Sequence, residues 1–132
     1  MSGLAVDFTL DLPGFRLAVT QGFAPNGLTA VFGPSGSGKS SLLRVISGLE
    51  TRAQGRVSFD GQDWQGPGRF VPPHRRAIGY VFQDARLFAH LTVAGNLAYA
   101  ERRARKAGRN PDRSGIVAAL GLEGLLARRP SG

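Results

Sequence analysis

One stretch of this sequence combines residue types at a spacing that does recognisable chemistry: Gly33-Pro34-Ser35-Gly36-Ser37-Gly38-Lys39-Ser40, with Ser41 behind it. It satisfies the pattern G-x-x-x-x-G-K-[ST] at every fixed position. Glycines allow backbone angles that a β-carbon forbids, so successive N–H groups can turn inward around an anion. The loop then feeds the first turn of a helix, where unpaired N–H groups and a partial positive charge favour a phosphate. In such a loop Lys39 reaches the β- and γ-phosphates. The Ser40 hydroxyl ligates Mg2+, a hard cation that takes oxygen ligands. Ser41 adds a hydroxyl on the α-phosphate side. The bland alternative is a glycine-rich strand-to-helix connection with a chance Lys-Ser. It must explain both a complete motif and its strand-loop-helix setting, and the motif by itself names a nucleotide phosphate without choosing a family.

The elements that must position this loop can be read from apolar periodicity. Leu4 to Leu12 and Phe15 to Phe23 alternate, with Pro13-Gly14 between them as turn chemistry, and predict an antiparallel hairpin with one buried face. Leu28 to Phe32 is a short apolar run that reads as a strand buried on both faces. From Lys39 to Leu49 the apolar residues fall on helical spacing, and Gly48 lies near the end. Gly55 to Asp60 predicts another strand with a hairpin turn at Asp60-Gly61, and Gln65 to Pro73 a loop rich in Gly and Pro. Ala77 to Phe82 reads as a further buried strand. Thr92 to Lys106 and Pro111 to Leu120 fit amphipathic helices, the second with Asn110 as its cap, Pro111 at its first position and Gly121 at its exit. The change of character near Asp84 predicts a β-rich, nucleotide-binding core over 1–83 and a helical subdomain over 84–132. The expected class is α/β.

With 132 residues, of which 42% are apolar, the chain can bury one modest core. Its formal charge of +8 admits a nucleic acid, an anionic membrane surface or an anionic small ligand. All but two of the 17 basic residues are arginine, which a GC-rich coding bias explains as readily as function does. No cysteine is present, which removes disulfides and thiolate metal sites. The sequence shows no secretory signal and no apolar run of the roughly 18 residues that a spanning helix needs, so any work at a membrane goes through an embedded partner. The basic cluster Arg102, Arg103, Arg105, Lys106 and Arg109 reads as a solvated helix face.

Three segments together, the loop at Gly33 to Ser40, Ile46-Ser47-Gly48-Leu49 and Tyr80-Val81-Phe82-Gln83-Asp84, resemble the ABC transporter ATPase family. Ala30-Val31-Phe32-Gly33, Arg75 to Phe88 and Gly95-Asn96-Leu97 are similar to its molybdate-importer branch, and the resemblance runs from about Val6 to Gly132. It implies a P-loop NTPase fold with an antiparallel β subdomain and the start of a helical one. It implies ATP and Mg2+ as cofactors, with Lys39 and Gln83 serving catalysis and Ser40 and Gln83 serving the metal. In the family a glutamine ends a buried strand at the place Gln83 occupies, where its amide carbonyl can ligate Mg2+ or the attacking water. Phe15 stands where related proteins often stack an aromatic on adenine; a place in the core of the first hairpin is an equal alternative.

The resemblance further implies a homodimer of ATPase subunits, an integral membrane permease as partner, no direct contact with nucleic acid, and the cytoplasmic face of the bacterial inner membrane as location. Uptake of an oxyanion, molybdate above others, is the implied function, with sulfate, iron or sugar import as alternatives. An ABC-type ATPase acting on DNA or ribosomes is the rival that suits the basic charge. A P-loop kinase or GTPase fits neither the hairpin before the loop nor Gln83 after it. The family's L-S-G-G-Q segment and the Asp-Glu pair that closes a later apolar strand do not occur here. Leu4-Ala5-Val6-Asp7 and Val57-Ser58-Phe59-Asp60 mimic that strand but lie before the loop or end in a turn. The chain is therefore expected to be part of a longer protein, to bind nucleotide through half a site, and to show no turnover alone.

Overall fold

The computed structural model describes residues 2–131, which divide into two compact units, one up to Tyr80 and one from Val81 onward. In the first, alternation produces an antiparallel sheet. Strand β1 (Leu4–Leu12) pairs with β2 (Phe15–Phe23) on one side and with β3 (Gln54–Phe59) on the other; β4 (Gln62–Gly66) and β5 (Arg69–Phe70) follow outward, giving the order β2-β1-β3-β4-β5. Two-residue turns close the hairpins. Leu12 pairs with Phe15 across Pro13-Gly14, where Gly14 has φ 85°. Phe59 pairs with Gln62 across Asp60-Gly61, whose φ values of 47° and 77° are the two positive angles of a type I′ turn.

Val6, Phe8 and Leu10 alternate along β1 and are buried on one face of this sheet. Helix α1 (Lys39–Ser47) covers that face with Leu42 and Val45, and Ala53, Val57 and Trp64 complete the cluster. Burial of each large side chain contributes about 1.5–3 kcal/mol. Gly48 ends α1 at φ 82°, and its N–H donates to Val45 O at 3.1 Å.

Three readings need correction here. Leu28 to Phe32 and Ala77 to Phe82 are not strands: among the described residues neither joins a ladder, and Leu28, Phe32 and Val81 are each at least 90% exposed. An apolar run becomes a strand only when another segment takes its N–H and C=O groups, and all pairs in this sheet belong to other residues. The stretch Gln65 to Pro73 is not all loop, since β4 runs into it and a second Pro-Gly turn, Pro67-Gly68, returns the chain as β5.

The second unit is helical. Helix α2 (Val93–Lys106) starts at Thr92, whose hydroxyl accepts from the Gly95 N–H at 3.0 Å. Two of its first N–H groups, on Val93 and Ala94, donate to Arg128 O and Leu126 O at 2.7 and 2.9 Å, so the later chain satisfies them. Arg102, Arg103, Arg105, Lys106 and Arg109 are all exposed. Helix α3 (Arg113–Ala119) begins later than expected. Its cap is Asp112, which accepts from the Gly115 N–H at 2.9 Å, rather than Asn110, and Pro111 precedes it. A carboxylate three residues before an available N–H closes that bond, while Asn110 stands too far upstream to reach it. Gly121, at φ 64°, leads the chain out.

Candidate phosphate-binding site

The stretch from Gly33 to Ser40 forms a solvent-facing loop running directly into α1. The Ser37 N–H donates to Pro34 O at 3.2 Å, closing a tight turn over Ser35 and Gly36. Gly38 then takes the cap position of α1 at φ 97° and ψ 12°, without a side-chain cap bond. No acidic residue lies in the first turn of the helix. The positive end of α1 thus faces outward, opposed by no carboxylate of that turn and no capping oxygen, which is the electrostatic condition for holding an anion.

Lys39 bends back over this loop. Its ammonium donates to Gly33 O and Pro34 O, both at 2.7 Å, with the Ser37 hydroxyl at 3.4 Å. The structure thereby brings Gly33, Pro34, Ser37, Gly38 and Lys39 together, with Ser40 and Ser41 on the first turn of α1. Ser35, Gly36 and Ser40 are open to solvent. From the hairpin, Leu17 packs against Gly38, so β2 touches the point where loop becomes helix.

Phe15 lies two residues before Leu17 on β2 and therefore on the same face of the strand. It is 40% exposed and stands outside the buried cluster that Leu17 and Val19 join. Gln83 belongs to the second unit, where it sits in an exposed bend and not at the end of a strand. Behind it Asn96 braces the chain: Phe88 N–H donates to Asn96 Oδ1 at 2.8 Å, and Asn96 Nδ2 donates to Phe88 O at 3.1 Å and Thr92 O at 3.0 Å. Phe88 in turn meets Tyr99 edge-on, with ring centres 4.8 Å apart.

Sequence reasoning missed Arg76. It is 1% exposed and lies at the opposite end of α1 from the loop, donating to Val45 O and Ile46 O. Burial pushes its guanidinium below the ordinary arginine value. Nothing local distinguishes this arginine from its neighbour Arg75, which is exposed.

The family model described as "ABC transporter" matches residues 18–131. The molybdenum import ATP-binding protein ModC of Pseudomonas aeruginosa is 50% identical over 98% of this chain and 37% of its own length. The protein of the same name from Saccharophagus degradans is 47% identical over 98% of this chain and 36% of its own length, and that of Thiobacillus denitrificans 50% over 93% and 34%. The chain thus spans about a third of the length of these curated relatives. The matched region contains the whole phosphate-type loop, the helix behind it, Gln83 and the helical unit; this chain, a P-loop NTPase of α/β class with an antiparallel sheet, belongs to the ABC transporter family.

Proposed function

We propose that this chain carries the phosphate-binding part of the ATP-binding subunit of an importer, in which ATP hydrolysis drives uptake of an oxyanion, molybdate first among candidates. The observation that carries the reading is the uncapped, outward-facing start of α1 with Lys39 folded over its own loop. Relatives 47–50% identical that bear the name molybdenum import ATP-binding protein support both the nucleotide and the cargo.

The residues present fit a triphosphate. Gly36 and Gly38 hold positive φ angles that turn their amides, no capping side chain competes for the helix end, and Lys39 supplies a mobile cation. On binding, Lys39 would exchange the carbonyls of Gly33 and Pro34 for β- and γ-phosphate oxygens. Gly33, Pro34, Ser35, Gly36, Ser37 and Gly38 would line the phosphates with backbone, and Ser41 would reach the α-phosphate side. Among the described residues no group of three His, Cys, Asp or Glu side chains could hold a metal alone. Mg2+ would be carried by the nucleotide, with the Ser40 hydroxyl and, as the resemblance implies, the Gln83 amide carbonyl each an oxygen ligand. When bound, it supplies charge neutralisation at the transferring phosphoryl group. Gln83 would hold the attacking water and report the γ-phosphate to the helical unit, and Phe15 would stack on adenine.

The core over 1–83 would bind nucleotide and the helical part over 84–132 would face a membrane-embedded permease. Two copies would close on two ATP molecules at the cytoplasmic face of the membrane, without direct contact with nucleic acid. No described helix is long and apolar enough to cross a membrane. The test uses the full-length protein: ATP should bind, Lys39→Ala should bind at least about tenfold more weakly, and cells carrying Lys39→Ala should lose uptake of labelled molybdate. Undiminished binding by Lys39→Ala sinks the nucleotide site. Retained molybdate uptake with intact loss of ATP binding sinks the cargo.

A further inference from the structure

Arg76 is almost wholly buried, yet no carboxylate pairs with it among the described residues. Its charge is met by backbone carbonyls instead. Nε donates to Val71 O at 2.7 Å, Nη1 to Ile46 O at 2.7 Å and Val45 O at 3.1 Å, and Nη2 to Trp64 O at 3.4 Å. The rings of Phe70 and Trp64 flank it, with centres 5.1 and 5.7 Å from the guanidinium carbon. A β-carbon at Gly48 would lie 2.8 Å from that same carbon, so any other residue at the end of α1 would push the guanidinium aside.

The carbonyls of Val45 and Ile46 belong to the last turn of α1, where the helix itself supplies no i+4 partner; Val45 O also accepts from the Gly48 N–H that ends the helix. A cation there also opposes the negative end of the helix dipole. Trp64 belongs to β4, and Val71 to the segment after β5. One planar fork thus bonds both the end of α1 and the far side of the antiparallel sheet. The apolar contacts of Leu42 and Val45 hold α1 against the sheet but resist sliding and rotation weakly, because dispersion and burial are non-directional. Directional bonds at one end of a rod about 13 Å long decide where its other end points. That other end is Gly38-Lys39-Ser40.

We propose that Arg76 is a positioning residue for the phosphate loop, a buried cationic clamp that fixes the pitch of α1 and so the aim of the N–H groups at its start. The inference rests on the nucleotide reading above and adds to it a determinant that touches no ligand. It separates from simple fold maintenance. A residue that only stabilises the fold lowers the melting temperature and leaves the affinity of folded molecules unchanged. A positioning residue changes affinity while the fold persists.

The test compares full-length wild type with Arg76→Lys, at a temperature where circular dichroism shows both fully folded, by titrating the β,γ-imido analogue of ATP. Lysine keeps the charge but its single ammonium cannot bridge α1 to Val71 and Trp64 together. Affinity should fall about tenfold, with faster amide exchange over residues 39–47, since small misplacements of a positioned group carry large penalties. Equal affinity in the folded variant overturns the proposal. Should Arg76→Lys not fold, Gly48→Ala disturbs the fork instead, since its β-carbon would lie 2.8 Å from the guanidinium carbon, and a drop of about threefold is expected; no drop overturns the proposal. A wild type that binds no analogue overturns the nucleotide reading and this one with it, whereas tight wild-type binding matched by the variant overturns this one alone.

Discussion

Leu17 and Gly38 meet so closely that a β-carbon at Gly38 would lie 3.1 Å from Leu17 Cδ2. The same glycine holds φ 97°, an angle that costs an L residue about 1–2 kcal/mol. Two penalties therefore act on Gly38→Ala, and they differ in size. Leu17 is only half-buried and its terminal methyls can yield by a few tenths of an ångström, whereas the backbone angle has no such escape. Gly38→Ala in the full-length protein should weaken nucleotide binding about tenfold, and adding Leu17→Ala should recover little of it. Full recovery in a binding titration of the double variant would mean that the contact, not the angle, governs this position.

Glu50 supplies a pH dependence. Hydrogen bonds from Arg52, led by those of its side chain, hold the Glu50 carboxyl down at about 2 from 4.5, against the upward push of burial. A depressed folded-state value means that the contribution is complete above pH 4.5 and is lost as pH falls toward 2. Arg52 is 70% exposed, so solvent screening limits the effect to about 1 kcal/mol. Urea unfolding at stepped pH should show wild type losing this increment across that window and Glu50→Gln lacking it; parallel profiles would contradict the assignment.

At α3 the cap can be tested against its neighbour. Asp112→Ala should destabilise the helical unit by about 1 kcal/mol and speed exchange of the Gly115 amide. Asn110→Ala, exposed and outside the cap, should stay within about 0.5 kcal/mol of wild type. The reverse order in amide exchange would restore Asn110 as the start of the helix.

Gln83 is exposed, so its replacement should leave folding unchanged and act on turnover alone. Gln83→Ala in the full-length protein should bind ATP as wild type does and hydrolyse it at least about tenfold more slowly. An unchanged turnover number in a phosphate-release assay would remove Gln83 from the site.

The first two hairpins, the phosphate-type loop and three helices were legible in advance because each is encoded within a few residues. Pro13-Gly14 and Asp60-Gly61 preset turn angles, and Gly38-Lys39-Ser40 announces the start of α1. Pro67-Gly68 carries the same turn chemistry, but β5 is only two residues long and offers no alternation that would mark a strand. Asn110-Pro111 mimicked a cap that Asp112 provides, a choice decided by which oxygen reaches the Gly115 N–H.

By itself the amino-acid order determined the local grammar of this protein: where turns fall, which strand faces are apolar, and which loop can cradle a phosphate. Tertiary structure decided which segments found partners. Leu28 to Phe32 and Ala77 to Phe82 are as apolar as the true strands yet lie outside the ladder, since a strand exists only where a second segment takes its hydrogen bonds, and apolar content does not name that segment. Likewise, one arginine among many became the buried fork at the end of α1 because four carbonyls from α1, β4 and the chain after β5 converge on a single point, a coincidence of positions distant in sequence that no local pattern records.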